Sequence, residues 1–129
     1  MATETYAIKY EEEHILNSRG LKLFTCRWLP ANRSPKALIF MCHGYAMECS
    51  ITMNSTGIRL SQAGFAMFGI DYEGHGKSEG VPGLVMNFDT VIDDCLQHFS
   101  TISGLLLLYF DVNLVPATEV VSLNMFSNR

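Results

Sequence analysis

The chain has 129 residues, of which 48% are hydrophobic and 17% are charged, a composition that predicts one globular domain or part of one and excludes a disordered tail. Its net charge of −4 provides no basic stripe for phosphate groups, which argues against nucleic-acid binding. The longest apolar run, 105–110, is far shorter than the roughly 20 residues that cross a bilayer, so no transmembrane helix is predicted.

The first residues lack the basic cap and apolar core of a secretory signal, so we expect no export of the chain. Its cysteines show no C-x-x-C spacing, which favours reduced thiols and a cytoplasmic location, with peripheral attachment to a membrane left open. Cys42, His43, Cys49 and His75 are of the types that bind zinc, but their spacing fits no established pattern. We therefore predict a protein without metal or cofactor.

Three strands are predicted in the first third of the chain. Two β-prone runs, 13–17 and 21–29, flank a serine-arginine-glycine turn at 18–20 and predict an antiparallel hairpin, since glycine can adopt a positive φ. The continuous apolar run that starts at Ala37 predicts a strand over 36–42 that is buried on both faces, as in a parallel sheet covered by helices. The chain is therefore expected to be an α/β protein.

A βαβ unit is predicted next. Apolar residues in 53–63 indicate a short helix, with Asn54 or Ser55 as its N-cap and Gly64 as its stop. The apolar run 65–72 predicts a further strand, which should run parallel to the strand before the helix. Ligands of such sheets bind beyond the carboxyl ends of the strands, which places the site in the loops that follow.

A glycine-rich loop and a longer helix follow the second parallel strand. The loop at 73–83 is expected to use backbone conformations that only glycine adopts readily. Asn87 should cap a helix that ends at Gly104, with an apolar stripe buried and a polar set facing elsewhere. The stripe comprises Val91, Ile92, Cys95, Leu96, Phe99 and Ile102, and the polar set comprises Asp89, Asp93, Asp94 and Gln97.

The glycine-rich loop contains two motifs that the surrounding sequence does not support. Residues 76–80 read G-x-S-x-G, which marks a serine nucleophile only where an apolar strand directly precedes it and a helix directly follows. Here the predicted strand ends at Tyr72 and a Pro-Gly pair follows, so a structural role is favoured for Ser78. The G-K-S letters also fail as a phosphate-binding loop, because Asp71 stands where that motif requires glycine.

Two of the four histidines are better placed for chemistry than the others. His43 and His75 each lie beyond the carboxyl end of a predicted parallel strand, whereas His14 and His98 are expected to be solvated or at the edge of the core. Neither His43 nor His75 has a serine partner at convincing spacing. A pair of His43 and Cys49 is an alternative, with the thiol as nucleophile near a helix N-terminus.

The segments HGYAMECS, GIDYEGHGKSEG and NFDTVIDDCLQHFSTI together resemble the start of plant monoacylglycerol lipase-like and caffeoylshikimate esterase-like proteins of the α/β-hydrolase superfamily. The resemblance covers about 11–103. It implies that full-length relatives hydrolyse small-molecule or lipid esters. It also implies that the backbone N–H of Tyr45, in the loop begun by His43 and Gly44, is one oxyanion-hole donor. In the loop after the second parallel strand we expect structural roles for Asp71, Gly74, His75, Gly76, Ser78 and Gly80.

Residues 104–129 do not resemble this family, whose members continue with a nucleophile elbow, a cap region and the acid and base of a triad. We therefore predict the N-terminal part of an α/β-hydrolase domain over 1–103 and a divergent tail over 104–129, as in a truncated product. No nucleophile is assigned, and the chain is expected to be inactive alone. The alternative is a non-catalytic interaction or lipid-binding module.

The sheet order that the resemblance implies leaves one edge of the 36–42 strand unpaired. An apolar edge without charge or proline favours association with other chains. We expect residues 105–111 to dock there as a substitute strand, and self-association through this edge is the other expectation.

Overall fold

The computed structural model describes residues 5–43, 48–49, 53–84, 87–109 and 120–124, which contain five strands and two helices. In chain order these are β1 (Ile8–Leu16), β2 (Lys22–Pro30), β3 (Leu38–Cys42), α1 (Asn54–Gln62), β4 (Ala66–Ile70), α2 (Phe88–Tyr109) and β5 (Val120–Asn124). The strands form one sheet in the order β1-β2-β4-β3-β5. β2 is antiparallel to both β1 and β4, whereas β3 is parallel to both β4 and β5. The predicted α/β class, with a hairpin and a βαβ unit, is confirmed.

The predicted hairpin forms, and the side chain of Asn17 closes its turn. Asn17 Oδ1 accepts hydrogen bonds from the N–H groups of Arg19 and Leu21, each at 3.0 Å, and Gly20 has a φ of +78°. β1 begins at Ile8, five residues before the predicted start. The added residues, most of them polar or charged, pair with the second half of β2. Backbone pairing with a long partner strand therefore extends β1 beyond its apolar run.

The central strands are buried on both faces, as their continuous apolar runs predicted. In β3, Ile39 packs into one hydrophobic cluster while its neighbour Leu38 packs into another. Successive residues of a strand point to opposite faces, so the two clusters lie on opposite sides of the sheet. Ile58 of α1 packs against the first cluster and Phe99 of α2 packs against the second. Each face of the sheet is thus covered by one helix.

α1 begins at Asn54 without a side-chain cap, so the prediction of Asn54 or Ser55 as N-cap is wrong. Asn54 Oδ1 instead accepts a hydrogen bond from the indole N–H of Trp28 at 3.1 Å. The Trp28 side chain is fully buried, and its N–H requires an acceptor within the protein. The predicted stop at Gly64 is confirmed by its φ of +103°.

α2 begins where predicted, since Asn87 Oδ1 accepts a hydrogen bond from the N–H of Asp89 at 2.9 Å. The predicted end at Gly104 is wrong, because the helix continues to Tyr109. Glycine costs only about 1 kcal/mol within a helix, and four leucines with high helix propensity follow it. α2 crosses the boundary predicted after residue 103, and that division of the chain stays a prediction. Neither of the described helices has the length and apolarity that crossing a membrane requires.

The buried face of α2 differs from the predicted stripe. Ile92 and Leu96 were expected in the core, but they are 40% and 59% exposed. Asp94 was expected to face away from the core and is only 5% exposed, because an ion pair with Arg19 of the hairpin turn replaces its contact with water. The face of α2 that carries Asp94 therefore packs toward the hairpin, whereas the prediction placed it in solvent.

The tail contributes a strand, but not the predicted one. A strand was predicted over 105–111. The structure describes 105–109 of this range, and these residues belong to α2, so the prediction is wrong for them. β5 lies beside β3 instead, paired in parallel from Leu38 with Val120 to Cys42 with Asn124. Valines at 120 and 121 favour a strand, whereas the leucine run favours a helix. The outer edge of β3 is therefore paired, and the prediction that it is unpaired is wrong.

Protonation of His98 should destabilise the fold. This α2 residue is 6% exposed, and burial, followed by the Arg27 charge, lowers its pKa to about 4 from the ordinary 6.5. Between these two values the unfolded chain binds a proton that the folded chain does not, so stability should fall as the pH drops. The slope from this residue approaches about 1.4 kcal/mol per pH unit.

The measurement is urea unfolding of the wild type and of His98→Gln at several pH values between 6.5 and 4. The variant should lose part of the wild-type slope, because glutamine does not titrate. Gln97→Ala changes the neighbouring residue of α2, which is exposed and does not titrate, and should keep the wild-type slope. Equal slopes in the wild type and His98→Gln would contradict the assignment.

Candidate functional site

His43 anchors the carboxyl end of β3. Its side chain is fully buried, and its Nε2 accepts a hydrogen bond from the N–H of Tyr72 at 3.0 Å. The imidazole also stacks on the Tyr72 ring, with 3.6 Å between the ring centroids. Because Nε2 is the acceptor, the proton of a neutral imidazole lies on Nδ1. These contacts join the ends of β3 and β4 and fix the point from which the chain enters residues 44–47.

The predicted amide donor lies in that segment. Gly44 and Tyr45 are outside the described residues, so the role of the Tyr45 N–H stays a prediction. The structure does describe both sides of the segment, His43 before it and Glu48 and Cys49 after it. The loop therefore leaves and returns at the carboxyl edge of the parallel strands, where ligands of α/β sheets bind.

Asp71, the first residue after β4, connects this loop to the glycine-rich loop. Its carboxylate is fully buried, and Oδ1 accepts a hydrogen bond from the N–H of Cys49 at 2.7 Å. Oδ2 accepts a hydrogen bond from the N–H of Lys77 at 3.0 Å. One carboxylate thus fixes the return of the 44–47 segment and the tip of the glycine-rich loop. Sequence analysis named Asp71 only as a structural loop residue and did not identify these partners.

The glycine-rich loop packs so tightly around Asp71 that side chains would not fit. A Cβ at Gly76 would lie 2.3 Å from Asp71 Oδ2, and one at Gly74 would lie 2.3 Å from the carbonyl oxygen of Val81. Both glycines have positive φ, and so does Gly80. Steric space and backbone conformation therefore both require glycine at 74 and 76.

Ser78 lies inside this loop with its hydroxyl bonded to backbone groups. Its Oγ donates a hydrogen bond to the carbonyl of Asp71 and accepts one from the N–H of Phe24 at 2.8 Å. The N–H of Ser78 donates to the carbonyl of His75 at 2.9 Å. The hydroxyl thereby joins the loop to β2, and nine residues separate Ser78 from the first residue of α2, Phe88.

His75 lies next to His43 within the same loop cluster. The side chain is 4% exposed, and Nδ1 is 3.0 Å from the carbonyl oxygen of Glu73. The centroids of the His75 and His43 rings are 5.3 Å apart, and the His75 ring meets Tyr72 edge-on. The structure thus brings together both histidines that sequence analysis favoured, in a buried aromatic cluster with Tyr72 at the carboxyl ends of β3 and β4.

The surroundings of Cys49 argue against the alternative in which its thiol is a nucleophile paired with His43. The side chain is fully buried, and burial raises the pKa of the Cys49 thiol far above its ordinary value. A nucleophilic cysteine needs a lowered pKa, because the thiolate is the reactive form.

Among the described residues, no group of three or more His, Cys, Asp or Glu side chains is arranged to hold a metal ion.

A polar network that sequence analysis missed joins the hairpin to both later elements. Arg19 Nε donates to Glu73 Oε1 at 2.9 Å, and its Nη2 donates to Asp94 Oδ2 at 2.7 Å. The Asn17 side-chain amide lies 3.4 Å from the same Asp94 oxygen. The hairpin turn is thus tied to the glycine-rich loop and to α2. The sequence analysis assigned Asp94 to the solvated face of α2, and the residues beside it in the sequence do not indicate these partners.

The strand order, the helix on each face and the two loops at the carboxyl edge define an α/β-hydrolase fold. A solved structure supports this, because acetyl xylan esterase from Paenibacillus sp. R4 superposes with a TM-score of 0.67 at 14% sequence identity, covering 91% of this chain and 41% of that chain. At this identity the likeness shows the fold alone.

The chain belongs to the family described as "Serine aminopeptidase, S33", whose family model matches residues 33–104. It is 36% identical over 89 residues to monoglyceride lipase of Rattus norvegicus, and 29% identical over 96 residues to caffeoylshikimate esterase of Arabidopsis thaliana. These matches cover 69% and 70% of this chain but 29% of each relative. The chain thus spans less than a third of the length of these curated relatives, and the resemblance drawn from its motifs is confirmed.

Proposed function

We propose that this chain forms the oxyanion side of a carboxylester hydrolase site, with the backbone N–H of Tyr45 as one donor. The observation that carries the proposal is the anchoring of His43, whose hydrogen bond to the Tyr72 N–H fixes the start of the loop. Asp71 supports the same loop from its other end through the Cys49 N–H. An oxyanion-hole amide donor is typically worth about 3 kcal/mol of the barrier to attack on an ester carbonyl, because it stabilises the negative oxygen that forms.

The substrate class follows from the relatives. Two of them are named monoglyceride lipase and caffeoylshikimate esterase, and both names describe proteins that act on carboxylic esters. We extend this class to the present site, as small-molecule or lipid esters. The part of the chain that the structure describes contains no cap over the loops, so the proposal stops at the ester group.

We further propose that these 129 residues do not hydrolyse esters by themselves. The only G-x-S-x-G sequence in the chain is at 76–80, and the geometry of Ser78 supports a structural role there. Its hydroxyl donates to one backbone group and accepts from another, which leaves it poorly placed to attack a carbonyl. Without a serine and its base, an oxyanion donor has little to stabilise, since loss of the triad costs several powers of ten in rate.

Ester hydrolysis by the purified chain tests this proposal. The 129-residue chain should cleave p-nitrophenyl butyrate no faster than buffer containing an equal concentration of heat-denatured chain. Ser78→Ala should show the same background, and so should Ser100→Ala, which removes an exposed serine hydroxyl on α2. Circular dichroism should show that each sample is folded. Turnover that Ser78→Ala abolishes and Ser100→Ala retains would overturn the assignment of Ser78.

A further inference from the structure

A row of large apolar side chains lies exposed along α2. Phe88, Ile92 and Leu96 are 54%, 40% and 59% exposed, and they follow one another at intervals of four residues. Residues four apart lie on the same side of a helix, one turn after another, so the three form a continuous surface. We call this surface the α2 ridge. It is distinct from the side of α2 that carries Val91 and Cys95, which are buried in a hydrophobic cluster.

Two carboxylates border the α2 ridge. Asp89 and Asp93 each follow a ridge residue in the sequence, and both are exposed. Neither is in an ion pair with another residue that the structure describes, in contrast to Asp94, which is paired with Arg19. The border of the ridge therefore carries negative charge that no described side chain neutralises.

The sequence separates its charges in the same sense. Residues 1–77 contain eight Lys and Arg and seven Asp and Glu, whereas residues 78–128 contain six Asp and Glu and no Lys or Arg. α2 lies entirely within the second range. A protein that binds the ridge must therefore supply the positive charge itself, because opposite potentials across an interface are the favourable arrangement.

We propose that the α2 ridge binds a basic amphipathic helix of a partner protein. A helix can lay its own apolar stripe beside a row of side chains spaced by four residues, which is a common mode of peptide recognition. Lys or Arg residues next to that stripe would face Asp89 and Asp93. The apolar contacts would provide the affinity, and the charges would set the orientation and the rate of encounter. This inference does not rest on the proposed ester chemistry.

The same charges disfavour two other occupants of the ridge. A second copy of the chain, docked ridge to ridge about a two-fold axis, would bring the acidic borders of both copies into one interface. A membrane leaflet that contains anionic lipids would repel the same border. A basic helix matches both the apolar surface and the charge beside it.

Fluorescence anisotropy with a designed peptide tests the proposal. The labelled peptide is a helix of leucine and lysine with all its leucines on one face, and its counterpart has glutamate in place of each lysine. The lysine peptide should bind the 129-residue chain with a dissociation constant in the micromolar range, and added salt should weaken the binding. The glutamate peptide should not bind. Absence of binding by the lysine peptide, or equal binding of the two peptides, would overturn the proposal.

Two matched substitutions locate the contact. Leu96→Ser removes a ridge leucine and should weaken binding of the lysine peptide at least about tenfold, because burial of a leucine side chain changes an equilibrium constant by this factor or more. Leu16→Ser removes a leucine of β1 that is 65% exposed and lies outside the ridge, so it should bind as the wild type does. Circular dichroism should show that both variants are folded. Equal affinities of the two variants would mean that the peptide does not bind at the ridge.

A second pair of variants tests the charge separately from the apolar contact. The double substitution Asp89→Asn and Asp93→Asn should weaken binding about threefold and reduce its dependence on salt. Glu12→Gln with Glu13→Gln removes two exposed carboxylates of β1 and should change neither property. If both double variants behave alike, the acidic border does not select the partner and the proposal fails.

The other two occupants are examined with the same ridge variant. Sedimentation equilibrium measures self-association, and flotation with vesicles of phosphatidylcholine and phosphatidylserine measures membrane binding. We expect a monomer that does not float with the vesicles. A dimer that Leu96→Ser dissociates, or vesicle binding that Leu96→Ser abolishes, would assign the ridge to that occupant and overturn the proposal.

Discussion

Replacement of Asp71 by alanine should lower the free energy of unfolding by about 3–5 kcal/mol. The change leaves the N–H groups of Cys49 and Lys77 without the buried carboxylate oxygens that accept their hydrogen bonds. Hydrogen bonds to a charged group are the stronger ones, and an unsatisfied buried donor costs additional free energy. Urea unfolding gives the loss, and hydrogen exchange at the Cys49 and Lys77 amides should accelerate with it.

Two further variants make this result specific. Asp71→Asn keeps the size of the side chain but replaces one acceptor oxygen with a donor NH₂ group, so one of the two hydrogen bonds should be lost and the effect should be intermediate. Asp93→Ala removes an exposed aspartate of α2 and should change stability by less than about 0.5 kcal/mol. Equal stabilities for Asp71→Ala and Asp93→Ala would show that the carboxylate does not hold the two loops.

Gly57→Ala should destabilise the protein by about 1–3 kcal/mol, although alanine is the better helix former. Gly57 lies within α1 against the indole of Trp28, and an added Cβ would be 2.3 Å from Trp28 Cδ2. Trp28 is fully buried and its N–H is bonded to Asn54 Oδ1, so the ring cannot move aside without breaking that hydrogen bond. Either the ring or the helix must shift, and urea unfolding measures the cost.

The matched control is Gly104→Ala. Gly104 is also inside a helix, but among the described residues no atom outside its chain neighbours and the backbone of α2 lies within 4 Å of the position of its added Cβ. Helix propensity should therefore act alone and raise stability by up to about 1 kcal/mol. Opposite signs for the two substitutions are the expected result. A gain in stability at both positions would mean that α1 does not pack on Trp28 as described.

The sequence predicted those parts of the fold that depend on local pattern. The hairpin, the βαβ unit and the start of α2 follow from apolar runs, Gly20 and Asn87, because turns and caps are formed by neighbouring residues. The end of α2 was not predictable from Gly104, because a single glycine weakens a helix without stopping it. The position of β5 depends on which segment reaches the edge of β3, a contact between residues about 80 positions apart.

The positions of His43 and His75 at the ends of the parallel strands could be predicted from the sequence, but the contacts that hold the neighbouring loops could not. His43 and His75 were selected because they follow parallel strands, which is a rule about sheets that holds without knowledge of their partners. The partners of Asp71 and Asp94 could not be predicted by such a rule. Asp94, for example, pairs with Arg19, which lies 75 positions earlier in the chain. Burial of a carboxylate depends on donors brought by tertiary structure, and nothing in the letters around residue 94 indicates them.

The pairing of β5 with β3 has a consequence for synthesis on the ribosome. β1, β2, β3 and β4 are complete once residue 70 has been made, but one side of β3 stays open until Val120–Asn124 emerges. During translation of the intervening residues, the nascent chain therefore presents an apolar strand that can pair with any extended peptide nearby. Slow codons or a stalled ribosome in this interval would prolong that exposure and increase the demand for chaperones.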